Sequence, residues 1–432
     1  MTDNALELQV PANRDSLVGL QTERRVAAIR QAQKSAWLSA RLDHLDLDHI
    51  TEDEEWNKIP ILDKEQLRAL DADTFYDGFC IAPRSDITEY WRSGGSTGRP
   101  LFYPRTTKDI FYGKIGFKRV MDIAGFTADD IAHMSLPLGI HPAGHMMARS
   151  GSELDIGMVW AGGGNTMPSL AQIDLVRLFK PTGWIGMASY GIQLANLARN
   201  EGLDLSKQTV DKILCTAEPL SPSKREKLAA LWGASVRDCF GMTEMMMLGG
   251  EDAACNGFRF WDDFCYPEVL DADTMEPVGE GESGLLVVTS LVTNNATPFV
   301  RWNTGDIVKM HAGEAQGSPY DVFPVITHTH RTAGFVKVRG VNIGFTDFED
   351  MMFKASEVSD FRVEIVSQED KDQLDLHVEL SDGQSPDTAT DTLMSMVRRA
   401  FDLAPRIKIC ESGSIAQAFE GSFKPVRFDD LR

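Results

Sequence analysis

The chain has 432 residues, 43% of them hydrophobic and 25% charged, and 64 Asp and Glu against 43 Lys and Arg give a formal net charge of −21. These are the proportions of a water-soluble globular protein long enough for more than one domain. The acidic balance argues against nucleic acid or an anionic membrane as the main partner, although anionic cofactors need only a local positive field. No apolar run reaches the roughly 20 residues of a membrane span. Residues 1–10 lack the basic region and apolar core of a signal peptide, and six scattered cysteines suit reduced thiols, so a cytoplasmic protein is expected.

In chain order, 14–46 reads as a helix, with apolar positions at helical spacing among Arg, Gln and Lys. A glycine-rich loop follows at 93–100, then a helix over 105–123. From about 130 to 290, short apolar runs alternate with amphipathic stretches, for example a strand at 213–215, a helix at 223–231 and a strand at 285–289. That alternation predicts an α/β fold with central sheets flanked by helices. After about 331 the chain forms a smaller α/β unit. Its expected strands are 335–338, 361–366, 374–380 and 407–410, its helices 347–354 and 387–401, and its clearest loop 381–386.

The loop Ser93-Gly94-Gly95-Ser96-Thr97-Gly98-Arg99-Pro100 is the strongest chemical signal. Its glycines let successive N–H groups face one concavity, its hydroxyls add donors and Arg99 adds charge, a composition suited to phosphate oxygens. No Lys follows the last Gly, so it is not a Walker A loop. Other short motifs follow in sequence. Trp56-Asn57-Lys58-Ile59-Pro60 opens the segment 56–68 upstream of the loop. Downstream come Gly162-Gly163-Gly164-Asn165-Thr166, Ala188-Ser189-Tyr190, Thr216-Ala217-Glu218-Pro219-Leu220 and Phe240-Gly241-Met242-Thr243-Glu244. The series ends with Arg301-Trp302-Asn303-Thr304-Gly305-Asp306, Lys337-Val338-Arg339-Gly340-Val341-Asn342 and Lys424.

This ordered series resembles the phenylacetate-CoA ligase family of the adenylate-forming superfamily, which includes acyl-CoA synthetases, adenylation domains and luciferases. The resemblance implies a large N-terminal domain, 1–330, that binds ATP and the acid, and a small mobile C-terminal domain, 331–432. It implies an AMP-forming acid–thiol ligase using ATP, Mg²⁺ and coenzyme A, acting on an aromatic carboxylic acid (arylacetate- or arylcarboxylate-like) through an acyl-adenylate. By family position, Ser93, Gly94, Gly95, Ser96, Thr97 and Gly98 hold phosphate. Ala217, Glu218, Pro219, Asp238, Phe240, Gly241 and Met242 surround adenine, with Phe240 in place of the usual Tyr. Asp306 and Arg331 reach the ribose, and a carboxylate has the two acceptor oxygens its hydroxyls need. Thr243 faces the α-phosphate and Glu244 supplies a carboxylate for Mg²⁺. Lys424 is the catalytic lysine, its charge set against that developing at the α-phosphorus.

The acyl pocket falls to His141, Trp160, Ala161, Tyr190, Phe240, Met242 and Met245, and the CoA path to Lys337, Arg339 and Gly340. The chain departs from the family's Arg-x-Asp-Asp hinge at Ala333-Gly334, although Gly can absorb a large φ/ψ change. Some relatives hold a structural zinc near the segment containing Cys255 and Cys265; here Arg259 and Phe264 stand where His is expected, which argues against one. Two alternatives stay open: an adenylating enzyme that passes the acyl group to a carrier protein or an amine, and a non-catalytic protein that binds nucleotide or acyl ligand. The oligomeric state is open too, a homodimer being one option.

Overall fold

A computed structural model describes residues 8–93, 100–331, 335–339, 341–368, 371–420 and 427–432. They group into two compact units whose segments alternate along the chain. The first unit comprises Met1–Asp129, Leu138–Gly157 and Arg237–Thr332; the second comprises Asp130–Pro137, Met158–Val236 and Ala333–Arg432. The sequence-expected boundary at 330/331 lies two residues from the last of these divisions, and the stretches 130–137 and 158–236 cluster with 333–432. Among the described residues, no helix is long and apolar enough to cross a membrane.

In the first unit, the single helix expected over 14–46 is two helices, Arg14–Ala32 and Ala36–Leu42. Ser35 divides them: its backbone is extended and its hydroxyl accepts from the Leu38 N–H at 3.2 Å. Such a local partner offers the backbone an exit from one helix and a start for the next. The helix expected from 105 begins slightly later. Phe102–Thr106 is a strand, and a reciprocal pair of hydrogen bonds between Thr106 and Asp109 opens the helix Thr107–Ile123.

The first unit's sheet is antiparallel throughout, in the order Cys265–Leu270, Ser283–Ser290, Trp302–His311, Val325–Arg331, Phe258–Phe260, Met246–Glu251, Ser235–Met242. The apolar run Leu285–Val288 is buried on both faces, which explains why it does not alternate with polar residues. Leu286 and Val288 point into the main core with Ile29, Leu38, Phe299 and Trp302, while Leu285 and Val287 pack on Leu270 and Ile307 on the other side.

In the second unit, the strands Lys212–Cys215, Gly183–Gly186 and Ile131–Met134 run parallel in that order, with Gly157–Trp160 next to Ile131–Met134. The helices Ser169–Phe179, Ala188–Asn200 and Pro222–Trp232 accompany it. Two fully buried indoles, Trp184 and Trp232, lie with ring centroids 5.4 Å apart and planes tilted by 37°. Each N–H is satisfied: Trp184 donates to Ser135 Oγ and Trp232 to the Gly191 carbonyl, both at 3.0 Å.

The C-terminal part of this unit contains a hairpin, Phe335–Val338 with Val341–Gly344, and a four-stranded sheet ordered Arg406–Cys410, Lys371–Leu380, Val358–Gln368, Phe428–Asp430. Val363, Ile365, Leu374, Leu376 and Val378 fill its inner face under the helices Phe345–Lys354 and Pro386–Phe401. The strands and helices expected here are all present. Three elements were not anticipated: the strand Val341–Gly344, the short helix Ser414–Phe419 and the strand Phe428–Asp430, which runs parallel to Val363–Ile365.

Candidate active site

Thr243 and Glu244 sit in the tight connection between the strands Ser235–Met242 and Met246–Glu251. Across this hairpin Phe240 faces Gly249, the register then slips, and Gly241 faces Met247. The slip brings the backbones close: a Cβ on Gly241 would lie 2.7 Å from the Met246 oxygen. Met246 itself has φ of 70°, in the left-handed region. A glycine and a strained residue therefore fix how the Thr-Glu pair leaves the sheet.

The strand Phe102–Thr106, which follows the glycine loop, holds this turn from beneath. Arg105 is fully buried and donates from Nη2 to the Thr243 and Glu244 carbonyls at 2.6 and 2.8 Å, and from Nη1 to Thr297 Oγ1 at 2.8 Å. Tyr103, also fully buried, donates its hydroxyl to Glu244 Oε1 at 2.9 Å, and Lys64 Nζ stands 3.3 Å from the same oxygen. Burial first, and the Glu244 charge next, push the Tyr103 phenol well above its ordinary pKa, so it remains a donor. Glu244 is only 5% exposed, a carboxylate sheltered from bulk water with a cation and a phenol on one oxygen.

The glycine loop spans the two strands of a second hairpin, Ile87–Arg92 and Phe102–Thr106, in which Arg92 faces Phe102. Its base is closed by Ser93: the Ser93 N–H donates to the Leu101 carbonyl at 2.9 Å, and the Leu101 N–H to Ser93 Oγ at 3.3 Å. Residues Gly94, Gly95, Ser96, Thr97 and Gly98 lie outside the described residues, as do Gly340, Lys424 and the Ala333-Gly334 departure.

Asp306 lies in the strand Trp302–His311 with its carboxylate fully buried, Oδ1 3.0 Å from His328 Nε2. Its backbone pairs with that of Arg331 across the sheet. Phe240 stacks on Phe258 with centroids 5.6 Å apart, and its ring lies 6.2 Å from His328. Phe240, His328 and Asp306 thus form one contiguous wall. The Arg301-Trp302-Asn303 stretch before Asp306 bonds to the segment 56–68: the Leu62 N–H donates to the Arg301 carbonyl at 2.9 Å and the Asn303 N–H to the Leu62 carbonyl at 2.8 Å. Arg301 also donates to the Ile59 carbonyl and pairs with Glu268.

The other expected residues divide between the units. Asp238 accepts from the Cys239 N–H through Oδ1 and donates its own N–H to Glu251. His141 belongs to the first unit, where burial and Arg92 lower its pKa. Met245 is part of the main core, with Met242 and Phe240 packed on its edge. In the second unit, Trp160 is exposed, Ala161 is buried, and Tyr190 is buried with its hydroxyl 3.0 Å from Ser169 Oγ. Ala217 adopts a left-handed φ of 71° before Glu218 and Pro219. Lys337 and Arg339 are exposed on the C-terminal hairpin, where Arg339 donates to the Asp372 carbonyl and to Gln373, both at 2.6 Å. Where histidines would hold zinc, Arg259 pairs with Asp252 and Phe264 lies under Arg119.

Sequence reasoning did not find Lys64, Tyr103, Arg105 or His328. Each is an ordinary residue in an unremarkable local pattern, and only the fold brings it to a motif 20 to 180 positions away. For Tyr103 and Arg105 a faint signal existed, a Tyr-x-Arg alternation placed one side of the strand after the glycine loop.

The AMP-binding enzyme family model matches residues 20–293, which hold the glycine loop and Thr243-Glu244. The phenylacetate-coenzyme A ligase of Pseudomonas putida is 28% identical over 338 residues, 77% of this chain and 74% of its own. That of Aromatoleum evansii is 25% identical over 432 residues, 96% of this chain and 95% of its own. Among solved structures, a 2-hydroxyisobutyryl-CoA ligase in the postadenylation state, in complex with R3-HIB-AMP, superposes with a TM-score of 0.82 at 21% identity. It covers 97% of this chain and 89% of its own, a likeness of fold. The chain therefore belongs to the AMP-binding enzyme family, and the relatives it resembles over most of its length are phenylacetate-coenzyme A ligases.

Proposed function

We propose that this chain is an ATP-dependent acid–CoA ligase whose acid is aromatic, an arylacetate or arylcarboxylate. A carboxylate oxygen of the acid attacks the α-phosphorus of ATP, and pyrophosphate leaves with the electron pair of the broken P–O bond. The thiolate of CoA then attacks the acyl carbon, and AMP leaves. Splitting the reaction makes each step easier, and exclusion of water protects the mixed anhydride between them.

The observation that carries this reading is the Thr243-Glu244 turn. It is held by a buried Arg105 on the strand Phe102–Thr106, which follows the glycine loop in sequence and is joined to Ser93 at the loop's start through Leu101. Glu244 is a sheltered, hard oxygen donor fit to hold Mg²⁺. Once bound, the ion would neutralise charge on the phosphate oxygens. Lys64 adds a fixed positive charge on the same carboxylate, and Tyr103 orients it. The Phe240–His328–Asp306 wall supports the nucleoside role, an aromatic face for adenine beside an acceptor for ribose hydroxyls. The aromatic substrate is supported by the residue types at the acyl positions, Trp160, Tyr190, Phe240 and Met242, which suit a flat ring. Lys424 is assigned to the first half-reaction, Lys337, Arg339 and Gly340 to the second.

The test is a screen of arylacetates, benzoates and medium-chain aliphatic acids for AMP release, with and without CoA. Acid-dependent AMP release with thioester formed, greatest for an aromatic acid, is expected. AMP release that CoA leaves unchanged would assign the acceptor role to a carrier protein or an amine. No acid-dependent pyrophosphate exchange with any acid would overturn the catalytic reading.

A further inference from the structure

The loop Thr216-Ala217-Glu218-Pro219 is tied to the C-terminal part of the second unit through one buried ammonium. Lys224 is 1% exposed, on the first turn of the helix Pro222–Trp232. Its Nζ lies 3.1 Å from Glu218 Oε1 and 3.3 Å from Glu349 Oε2, on the helix Phe345–Lys354. Glu218 Oε1 also accepts from the Ser189 N–H at 2.6 Å. Behind Glu349, Arg427 Nε approaches Oε1 at 3.7 Å and the same guanidinium pairs with buried Asp360. Next to Lys224, the Ser223 N–H donates to Asp350 at 3.0 Å and Lys227 Nζ donates to the Val358 carbonyl at 2.5 Å.

Two features of this network are informative. The two helices meet through charged and polar groups, the Lys224–Glu349 ion pair and the Ser223–Asp350 hydrogen bond, together with Lys227 over the Phe353 ring, and polar contacts of this kind are common where packed elements form and part. The loop it reaches is also strained, since Ala217 holds a left-handed φ that a non-glycine residue adopts at a cost. Burial disfavours the Lys224 charge, and Glu218 and Glu349 together outweigh that, so the ammonium stays protonated. Removing either carboxylate would leave a buried charge under-compensated.

We propose that Lys224 is a positioning residue that couples the nucleotide loop to docking of the helix Phe345–Lys354. One ammonium holds Glu218 and Glu349 together, so a nucleotide that orders the loop also strengthens the hold on the helix. The coupling is reciprocal, as linkage requires: docking of the helix raises nucleotide affinity by the same factor. The inference rests on the reading that Ala217, Glu218 and Pro219 meet adenine.

The test uses the whole chain with ATP and Mg²⁺. Hydrogen exchange is followed in the helix Phe345–Lys354, and ATP affinity is measured by calorimetry, for wild type, Glu349→Gln and Lys224→Met. Glu349 is partly exposed and Gln matches its size, so this variant should fold even if Lys224→Met does not. In wild type, ATP should slow exchange of the helix about ten-fold, a typical coupling. In Glu349→Gln the slowing should shrink to less than about two-fold and ATP should bind about ten-fold more weakly. Lys224→Arg should recover part of both effects. ATP binding to wild type without protection of the helix, or equal protection in Glu349→Gln, would overturn the coupling while leaving the ligase reading intact. No ATP binding to wild type would overturn the nucleotide reading, and the coupling with it.

Discussion

Gly241→Ala tests the hairpin that carries Thr243 and Glu244. The added Cβ would lie 2.7 Å from the Met246 oxygen and 3.1 Å from Met247 Cα, both backbone atoms that no rotamer change can move. Even close carbon–oxygen contacts in sheets sit near 3.3 Å, so the strands must part locally by roughly 0.6 Å. Overpacking of this kind costs about 1–3 kcal/mol. In a unit of this size that lowers the melting temperature by at least about 2 °C. The displacement falls at the two residues assigned to phosphate and metal, where a shift approaching 1 Å costs on the order of 100-fold in rate. Acid-dependent pyrophosphate exchange should therefore fall by roughly ten-fold or more even where the protein is still fully folded. Gly19→Ala is the control. Gly19 is exposed inside the helix Arg14–Ala32, with no atom within 4 Å of a built Cβ. There the same chemical change should stabilise by about 0.5–1 kcal/mol, with exchange unaffected. Calorimetric melting and exchange at a temperature well below both transitions separate the two effects. A Gly241→Ala protein that melts at or above wild type, or that keeps full exchange, would refute the reasoning.

Glu244→Gln should remove nearly all pyrophosphate exchange while changing the melting temperature little, because charge is lost and volume is kept; wild-type exchange at ordinary Mg²⁺ would exclude the metal role. Asp306→Ala should raise the KM for ATP by ten-fold or more, each hydrogen bond to a charged group being worth about 1.5–3 kcal/mol, and an unchanged KM would remove Asp306 from the ribose site. Asp262 supplies a pH test of stability. Burial, opposed by Arg14 and reinforced by Asp263, raises its pKa to about 7 from an ordinary 3.8. Between those values the folded chain holds a proton that the unfolded chain has released. This group's contribution is thus fully present below about pH 4 and is lost as pH rises through 7. Thermal melts from pH 4 to 8 should show Asp262→Asn flattening that decline and melting above wild type at pH 8; parallel curves for the two proteins would contradict the assignment.

The local elements were legible where the period was clear. Leu285–Val288 and the alternating strands of the C-terminal part could be read directly, because burial on two faces or on one leaves different patterns. Ser35 could have been read as a helix start, and the strand Phe428–Asp430 could not, since three residues leave no period to read; its place is set by pairing with Val363–Ile365 and by Phe428 packing on Phe345 and Phe348. The motif residues Thr243, Glu244 and Asp306 were legible as a family pattern. Their support was not, because Lys64, Tyr103, Arg105 and His328 reach them from other strands and segments. Nor does any local sequence signal show that 130–137 and 158–236 cluster with 333–432: that grouping is a property of long-range contacts.

The Trp184–Trp232 pair gives the second unit an optical signature of its own. Two indoles 5.4 Å apart and tilted by 37° couple their electronic transitions, and such coupling splits a circular dichroism band into lobes of opposite sign. The lobes weaken steeply as the rings separate or change their mutual tilt. Because Trp184 comes from the parallel sheet and Trp232 from the end of the helix Pro222–Trp232 that carries Lys224, the couplet monitors the seat of that helix in unlabelled protein. Titrated with ATP, it distinguishes a helix that stays put while its partners move from one that moves with them.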